Sequence, residues 1–578
     1  MASPVPAEAS LNHAQMQTLW RVRPADPMRA KALATALDVD PITAQMLLHR
    51  GVTDGASASR FLHPHLDGLG DPGELPDLPR AMARLRRAIA RREPILIFGD
   101  SDVDGLTASV ILYEVLKALG AIAHARQANR LTDGYGLPER VIRFACRASI
   151  KVLILVDCGT NQAEAVRELA ARGIETIIVD HHVPLEGFAQ PYALINPHGD
   201  AGGRCRELSS AGLAFKVAQA FCQDGAQERL TAYLDLAALG VLADYMPLRQ
   251  EARVIVSVGL RHLVQSLRPG LRRLCEATRT SAPEPAQVLR RLVPRLNACG
   301  RLGDAAAAWR LLLRGDAHRM EACFAEAEAA HARLKRLHRQ VFSEAEEHVS
   351  RLHFGEELVI VVSRSGWPQG LMGPLASSLA QRYGRPAIAI ALGASRGVGS
   401  GRSEAAFNLL EALQACREAL VQFGGHAQAC GLTIERTQLE RFRELINERA
   451  RLMIGRQGLR PMRTADLEMP LGRVQPQWVE EMERFAPYGH GNDRPTAVIR
   501  HLTIEPRSSR TAVLSDGTIR FVGRGRWAAL ASCDRHDVIA TPALVGREVV
   551  LTVSDVRGST GPSEPAQTSG TTYRRGLA

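Results

Sequence analysis

Residues 94–105 read PILIFGDSDVDG, and the fold class turns on them. Four apolar residues, Ile95 to Phe98, are too few for a helix and suit a parallel strand buried on both faces. Gly105 then lets the backbone turn into the helix expected over LTASVILYEVLKAL. Three carboxylates, Asp100, Asp102 and Asp104, therefore fall between strand and helix, in the crevice where open α/β sheets bind ligands. A calcium loop of the EF-hand type also begins D-x-D-x-D-G, but it requires Glu at its twelfth position. Here that position is Ile111, and a strand rather than a helix precedes the loop.

Working outward, two further strands repeat the arrangement. KVLILV (151–156) runs into Asp157, Cys158, Gly159 and Thr160, and ETIIV ends in Asp180, His181 and His182. Strand, helix and strand at this spacing form a βαβ unit with a right-handed connection, so three strands deliver acidic or imidazole side chains at their carboxyl ends. All of them converge on one crevice. Asp244 closes the nearly apolar stretch LTAYLDLAALGVLAD, where a carboxylate must be solvated, capped or bound to a cation. The polar loop NRLTDGYGL follows the first βα unit and places Arg130 to meet an anion.

Composition sets the partner class. The chain of 578 residues has 72 Lys and Arg against 61 Asp and Glu, a net charge of +11. A basic protein with a concentrated acidic pocket suits a polyanion brought to bound cations. Ten scattered cysteines without a C-x-x-C pair point to neither a zinc ribbon nor a disulfide framework. With no signal-peptide pattern and no apolar run of ~18 residues, the expectation is a soluble, cytoplasmic protein without membrane contact.

Further along, a helical pattern from Asp316 to about Leu352 spans about 50 Å at 1.5 Å per residue and is expected to link two α/β domains. The second begins at ELVIVVS and continues through RPAIAIAL, and its stretch GVGSGRS (397–403) is expected to form a loop that opens a helix and offers amides and Arg402 to a phosphate. FGGHA, with His426, is expected as a polar turn. Alternating apolar segments beyond residue 460 suggest a small barrel, whose Arg500, Arg507, Arg510, Arg520, Arg524 and Arg526 with Phe521 and Trp527 suit a single-strand groove.

The order DSDVDG, DCGT, DHH and LADYMPL resembles the four motifs of the DHH phosphoesterase superfamily. More narrowly, ILIFGDSDVDG, NRLTDGYGL, INPH, PRLNACGR, GSGRS and FGGHA follow one another as in its RecJ branch, exonucleases specific for single-stranded DNA, a likeness covering roughly residues 60–500. The fold class expected is α/β: a parallel-sheet DHH domain and a second, DHH-associated α/β domain joined by a long helix, plus a C-terminal OB-like β-barrel. The expected divisions are 1–90 (helical and loop-rich), 91–260 (DHH), 261–352 (helical, with the long helix), 353–457 (DHH-associated), 458–557 (barrel) and 558–578 (disordered tail).

The resemblance implies a 5′-to-3′ exonuclease that degrades single-stranded DNA to mononucleotides in repair and recombination, with two ions of Mn²⁺ or Mg²⁺. Carried over by motif, Asp102, Asp104, Asp157, His181 and Asp244 resemble metal ligands, and Asp100 an additional or outer one. Two such ions activate water and stabilise a leaving oxygen; Asp104 and Asp157 are candidates to bridge them. His182 resembles the imidazole beside the scissile phosphate, acting with Asp157. Arg130, Ser400 and Arg402 resemble a pocket for the 5′ end, Arg295, Asn297 and Arg301 strand contacts, and Ser403 and His426 are also placed on nucleic acid. The implied partners are single-stranded DNA, a single-strand binding protein and a helicase, with the chain itself a monomer. Ser101 stands where the family usually has Tyr, and Pro368 where it commonly has His; neither removes a ligand. The alternatives are a DHH phosphodiesterase for short oligonucleotides or cyclic dinucleotides, and a non-catalytic DNA-binding scaffold. The first generally lacks the N-terminal region and barrel present here, and the second loses ligands that this chain keeps.

Overall fold

Strand Ile95–Gly99 is wholly buried and sits inside a five-stranded sheet, paired with Ala123–Gln127 on one side and Val152–Val156 on the other. Glu175–Val179 and Ala193–Ile195 complete the order, and every pairing is parallel. Alternate residues go to opposite layers, as strand geometry requires. Ile95, Ile97, Ile154 and Val156 pack with helices Val103–Ala118, Ser210–Phe221 and Leu234–Ala243, while Leu96, Phe98, Leu153 and Leu155 pack with Glu139–Arg147 and Ala163–Ala171. Both faces are covered, which is why the strands read as unbroken apolar runs. Parallel pairing also puts every carboxyl end at one edge, where the acidic residues are.

The computed structural model describes residues 18–129, 137–198, 203–222, 227–315, 317–352, 354, 357–403, 407–454, 462–525, 527 and 533–559. Two compact units emerge: His65–Pro461, and Gln17–Pro64 together with Met462–Ala578. Within the first, helix Ala317–Val349 runs 33 residues between the parallel sheet and a second sheet. Leu334, Leu337, Val341 and Ala345 of this helix join a core with Leu371, Leu375 and Leu379, as their helical spacing requires.

The second sheet has the order Gln422–Gly425, Ala429–Glu435, Arg396–Arg402, Ala387–Leu392 and Ile360–Ser365, the last two parallel and the rest antiparallel. Here one sequence expectation is corrected. GVGSGRS is neither a loop nor a helix start: Arg396–Arg402 is a strand between two partners. Its glycines are steric, since a Cβ on Gly399 would lie 2.8 Å from Ile390 and one on Gly401 2.5 Å from Leu409. Alternate glycines let bulky neighbours cross the strand, and leave Ser400 and Arg402 on its other face.

The other unit is a closed barrel. Ala497–Pro506, Thr511–Ser515, Arg520–Arg524, Glu548–Gly558 and His536–Val545 pair in that order, and His536–Val545 returns to Ala497–Pro506. Residues 1–90, read in sequence as one region, divide between the units: Leu19–Val22 pairs in parallel with Met462–Ala465. Met46 and Leu47 bury in one core with Trp478, Val479 and Phe485, and the Phe61 and Phe485 rings meet edge to face at 5.5 Å.

Candidate metal centre

Three groups of side chains interlock at the carboxyl edge of the parallel sheet: Asp100, Asp102 and Asp157; Asp104, His181 and Asp244; and Asp157, His181 and His182. Within each, one ligand atom per residue lies within 4.8 Å of the others. Asp157 and His181 are shared, so the three form one cluster. His181 Nε2 stands 3.4 Å from both Asp157 Oδ1 and Asp244 Oδ2. A cleft of about 280 Å³ opens over it, lined also by Phe98, Asn161, Gln162 and Asp180.

Each candidate ligand is placed by backbone logic. Asp102 is the N-cap of helix Val103–Ala118, accepting from Gly105 N–H at 3.2 Å. Asp104, in the first turn of that helix, is buried and points at the start of helix Ser210–Phe221. There Ser209 Oγ–H (2.7 Å) and Ala211 N–H (3.0 Å) donate to Oδ1, and Ser210 N–H (2.8 Å) donates to Oδ2. Ser210 Oγ–H also donates to Asp157 Oδ1 at 2.9 Å. Asp157 leaves its strand with φ +60°, a left-handed conformation that costs about 1–2 kcal/mol in a residue with a Cβ.

The electrostatics call for cations. Burial raises the Asp104 carboxyl above its ordinary range, and burial with the charges of Asp104 and Asp102 raises Asp157 further. Burial, then Asp104 and Asp102, pushes Asp244 to about 7 despite His181. Burial opposes charge on His181, yet Asp157, Asp244 and Asp104 hold its pKa well above normal. Among the described residues lining the cleft there is no Lys or Arg. Crowded carboxylates together with imidazole are a donor set that fits Mn²⁺ or Mg²⁺.

Several supporting residues escaped the sequence reading of the site. Asp180 accepts from Thr160 N–H and His182 N–H, and its Oδ1 lies 2.7 Å from His182 Nδ1. That contact raises the His182 pKa against the effect of burial, leaving Nε2 as the nitrogen free of Asp180. Asn196 donates to Thr160 Oγ1 and the His182 carbonyl. Asp180 was visible in the DHH triplet itself; Ser209 and Ser210 carried no signal, because their partners lie 53 to 106 residues away.

The other sequence-assigned residues fall in two places. Arg295, Asn297 and Arg301 lie on helix Val293–Arg301, directly behind the metal loop: Asn297 Oδ1 accepts Val103 N–H at 2.9 Å, and a Cβ on Gly300 would lie 2.3 Å from Ser101 O. Asn297 thus braces the loop, while Arg295 pairs with Glu328 at 2.5 Å. Ser400, Arg402 and His426 belong to the second sheet and its hairpin turn, and Gly373 at the start of helix Met372–Tyr383 sits 3.2 Å (as a built Cβ) from Arg402 Nη2. Ser403 Oγ–H donates to Phe407 O. Arg130 and Arg526 lie outside the described residues.

Comparison with known proteins agrees with this geometry. Residues 94–241 match the DHH family, N-terminal domain, and residues 356–452 match the DHHA1 domain; the chain is of the DHH phosphoesterase class. It is 32% identical over 497 residues to the single-stranded-DNA-specific exonuclease RecJ of Bacillus subtilis, covering 84% of this chain and 62% of that one. The RecJ of Thermus thermophilus is 32% identical over 483 residues, covering 82% of this chain and 68% of that one. The chain belongs to the RecJ family. A crystal structure of Thermus thermophilus RecJ in complex with Mn²⁺ superposes with a TM-score of 0.80 at 27% identity, over 94% of this chain and 80% of that one; a Mg²⁺ complex of the same protein gives 0.73 at 26% identity, over 94% and 79%. Among the described residues no helix is long and apolar enough to cross a membrane.

Proposed function

We propose that this chain is a metal-dependent 5′-to-3′ exonuclease that hydrolyses single-stranded DNA to mononucleotides. The observation that carries the reading is the interlocked set of seven ligand-type residues at the sheet edge, in a family whose relatives are named single-stranded-DNA-specific exonucleases. Asp100, Asp102, Asp104, Asp157, His181 and Asp244 would hold two ions of Mn²⁺ or Mg²⁺. Bound there, such ions supply a water acidified at neutral pH and positive charge against a phosphate. Ser209, Ser210 and Ala211 keep the carboxylate of Asp104 fixed in orientation. His182, held through Nδ1 by Asp180, carries a proton on Nε2 that it can give to the departing oxygen. Ser400 and Arg402, with Arg130, suit the 5′ phosphate; Arg295, Asn297, Arg301, Ser403 and His426 are assigned to the strand behind it. A single-strand binding protein and a helicase would supply the substrate, and the chain would act as a monomer in the cytoplasm.

The test is digestion by the Mn²⁺-loaded protein of single-stranded DNA labelled separately at each end, beside duplex, RNA and a cyclic dinucleotide. Mononucleotide release from the 5′ end of single-stranded DNA is expected, with Asp157→Ala inactive but still binding DNA. Cleavage confined to the cyclic or shortest substrates would replace this reading with an oligonucleotide phosphodiesterase.

A further inference from the structure

Helix Val293–Arg301 touches two places that the reaction must hold at a set distance. On one side lies the metal loop. The first N–H groups of a helix have no partner within it, and at the start of helix Val103–Ala118 two side chains serve them: Asp102 accepts from Gly105 N–H, and Asn297 Oδ1 accepts from Val103 N–H at 2.9 Å. Val103 stands between Asp102 and Asp104, so Asn297 fixes the stretch of backbone from which both carboxylates hang. Three residues further on, Gly300 brings the helix backbone against the same loop, where a Cβ would lie 2.3 Å from Ser101 O.

On the other side lies the domain of the second sheet. A Cβ on Gly370 would lie 2.5 Å from the carbonyl oxygen of Arg301, the last residue of the helix. Gly370 belongs to the short turn Gln369–Leu371, which leads straight into helix Met372–Tyr383. In that helix a Cβ on Gly373 would lie 3.2 Å from Arg402 Nη2 and 3.9 Å from Ser400 Oγ. Backbone therefore packs on backbone at both contacts, with no flexible side chain between to take up slack, and packing of this kind transmits displacement. The helix is also held along its length, since Arg295 Nε donates to Glu328 Oε1 of the long helix at 2.5 Å. The turn before it, Val288–Leu292, is a π-helix, a rare widened turn found mostly at functional sites.

We propose that helix Val293–Arg301 is the spacer that sets the distance between the metal centre and the group formed by Ser400 and Arg402, with Asn297 as the positioning residue at the metal loop and Gly370 as the point where the second domain bears on the helix. The proposal rests on the exonuclease reading above and deepens it: with the 5′ phosphate on Ser400 and Arg402, the length of this bridge decides which phosphodiester reaches the ions. Asn297 acts through Val103, its Oδ1 committed to the loop and not to DNA.

Two measurements on the full chain test this. The first compares KM for Mn²⁺-dependent hydrolysis of single strands carrying a 5′ phosphate or a 5′ hydroxyl, and the wild type is expected to favour the phosphate. Gly370→Ala, which must push the turn off Arg301, should raise KM for the phosphorylated strand about ten- to a hundredfold and leave that for the hydroxyl strand unchanged. The second finds, without substrate, the Mn²⁺ concentration that gives half the rise in melting temperature. Asn297→Leu, which keeps the shape but not the acceptor, should raise that concentration about ten- to a hundredfold. Asn297→Asp, whose Oδ1 still accepts and whose charge suits a helix N-terminus, should keep the wild-type value. A retained phosphate preference in Gly370→Ala, an unmoved Mn²⁺ midpoint in Asn297→Leu, or an equal loss in Asn297→Asp overturns the spacer and leaves the exonuclease reading in place. If Gly370→Ala does not fold, the two Asn297 variants decide alone. A wild type that hydrolyses neither strand overturns the exonuclease reading, one that hydrolyses both with equal KM overturns the assignment of Ser400 and Arg402, and the spacer falls with either.

Discussion

On the proposed reading, the pairing of Asp180 with His182 would separate proton handling from metal binding within a few ångströms. Asp180 is almost completely buried and touches no more than the backbone of Thr160 and the backbone and ring of His182 in the bonds described above. Although burial pushes its pKa upward, those donors hold the carboxyl well below the ordinary range, so it remains an anion able to fix the ring. Asp180→Asn is expected to lower kcat by roughly 10- to 100-fold while the upward shift of melting temperature on adding Mn²⁺ persists. Loss of that thermal shift would assign Asp180 to the ligand set instead. At this scale the gathering of the candidate ligands was legible, because strand ends in a parallel sheet share one edge. Their braces were not: Asn297 reaches Val103 across 194 residues of sequence, and no local pattern announces such a contact.

Elements show where local patterning misleads. The glycines of GVGSGRS resemble a phosphate loop, yet the stretch is a strand thinned to admit Ile390 and Leu409; composition records that glycine is needed, not why. In the barrel, strand His536–Val545 supplies Asp537, which accepts from Ser559 Oγ–H (2.6 Å), His501 N–H (3.2 Å) and Arg500 Nη1–H (3.0 Å). Burial works against this carboxylate, but the Ser559, His501 and Arg500 donors outweigh it and depress its pKa below the ordinary 3.8. A depressed folded-state value contributes stability above the unfolded value and loses it as pH falls through the folded one. Asp537→Asn is therefore expected to destabilise the barrel unit by roughly 2 kcal/mol at neutral pH and to flatten its acid unfolding below about pH 4. Chemical denaturation at pH 7 and pH 3 measures both, and an unchanged pH slope would remove Asp537 as its source.

For the whole molecule, the acidic cluster within a chain of net charge +11 means that folding without metal works against repulsion among buried carboxylates. Mn²⁺ at a hundredfold excess over its Kd should stabilise the unit His65–Pro461 by about 2.7 kcal/mol, read as a rise in melting temperature reversed by chelator. Asp157→Asn should melt higher than the wild type in chelator and gain nothing from Mn²⁺; a lower metal-free melting point would show that the carboxylates are not in conflict. The division of the chain has a consequence in time. The barrel unit needs Leu19–Val22 to pair with Met462–Ala465, and the ribosome makes those strands some four hundred residues apart. At about 5–20 residues per second, the first strand waits roughly 20 to 90 seconds for its partner, while the intervening unit can already fold. A nascent chain arrested before residue 462 would then carry a folded DHH unit and an unsheltered N-terminal segment, which makes that segment the natural place for a chaperone to hold.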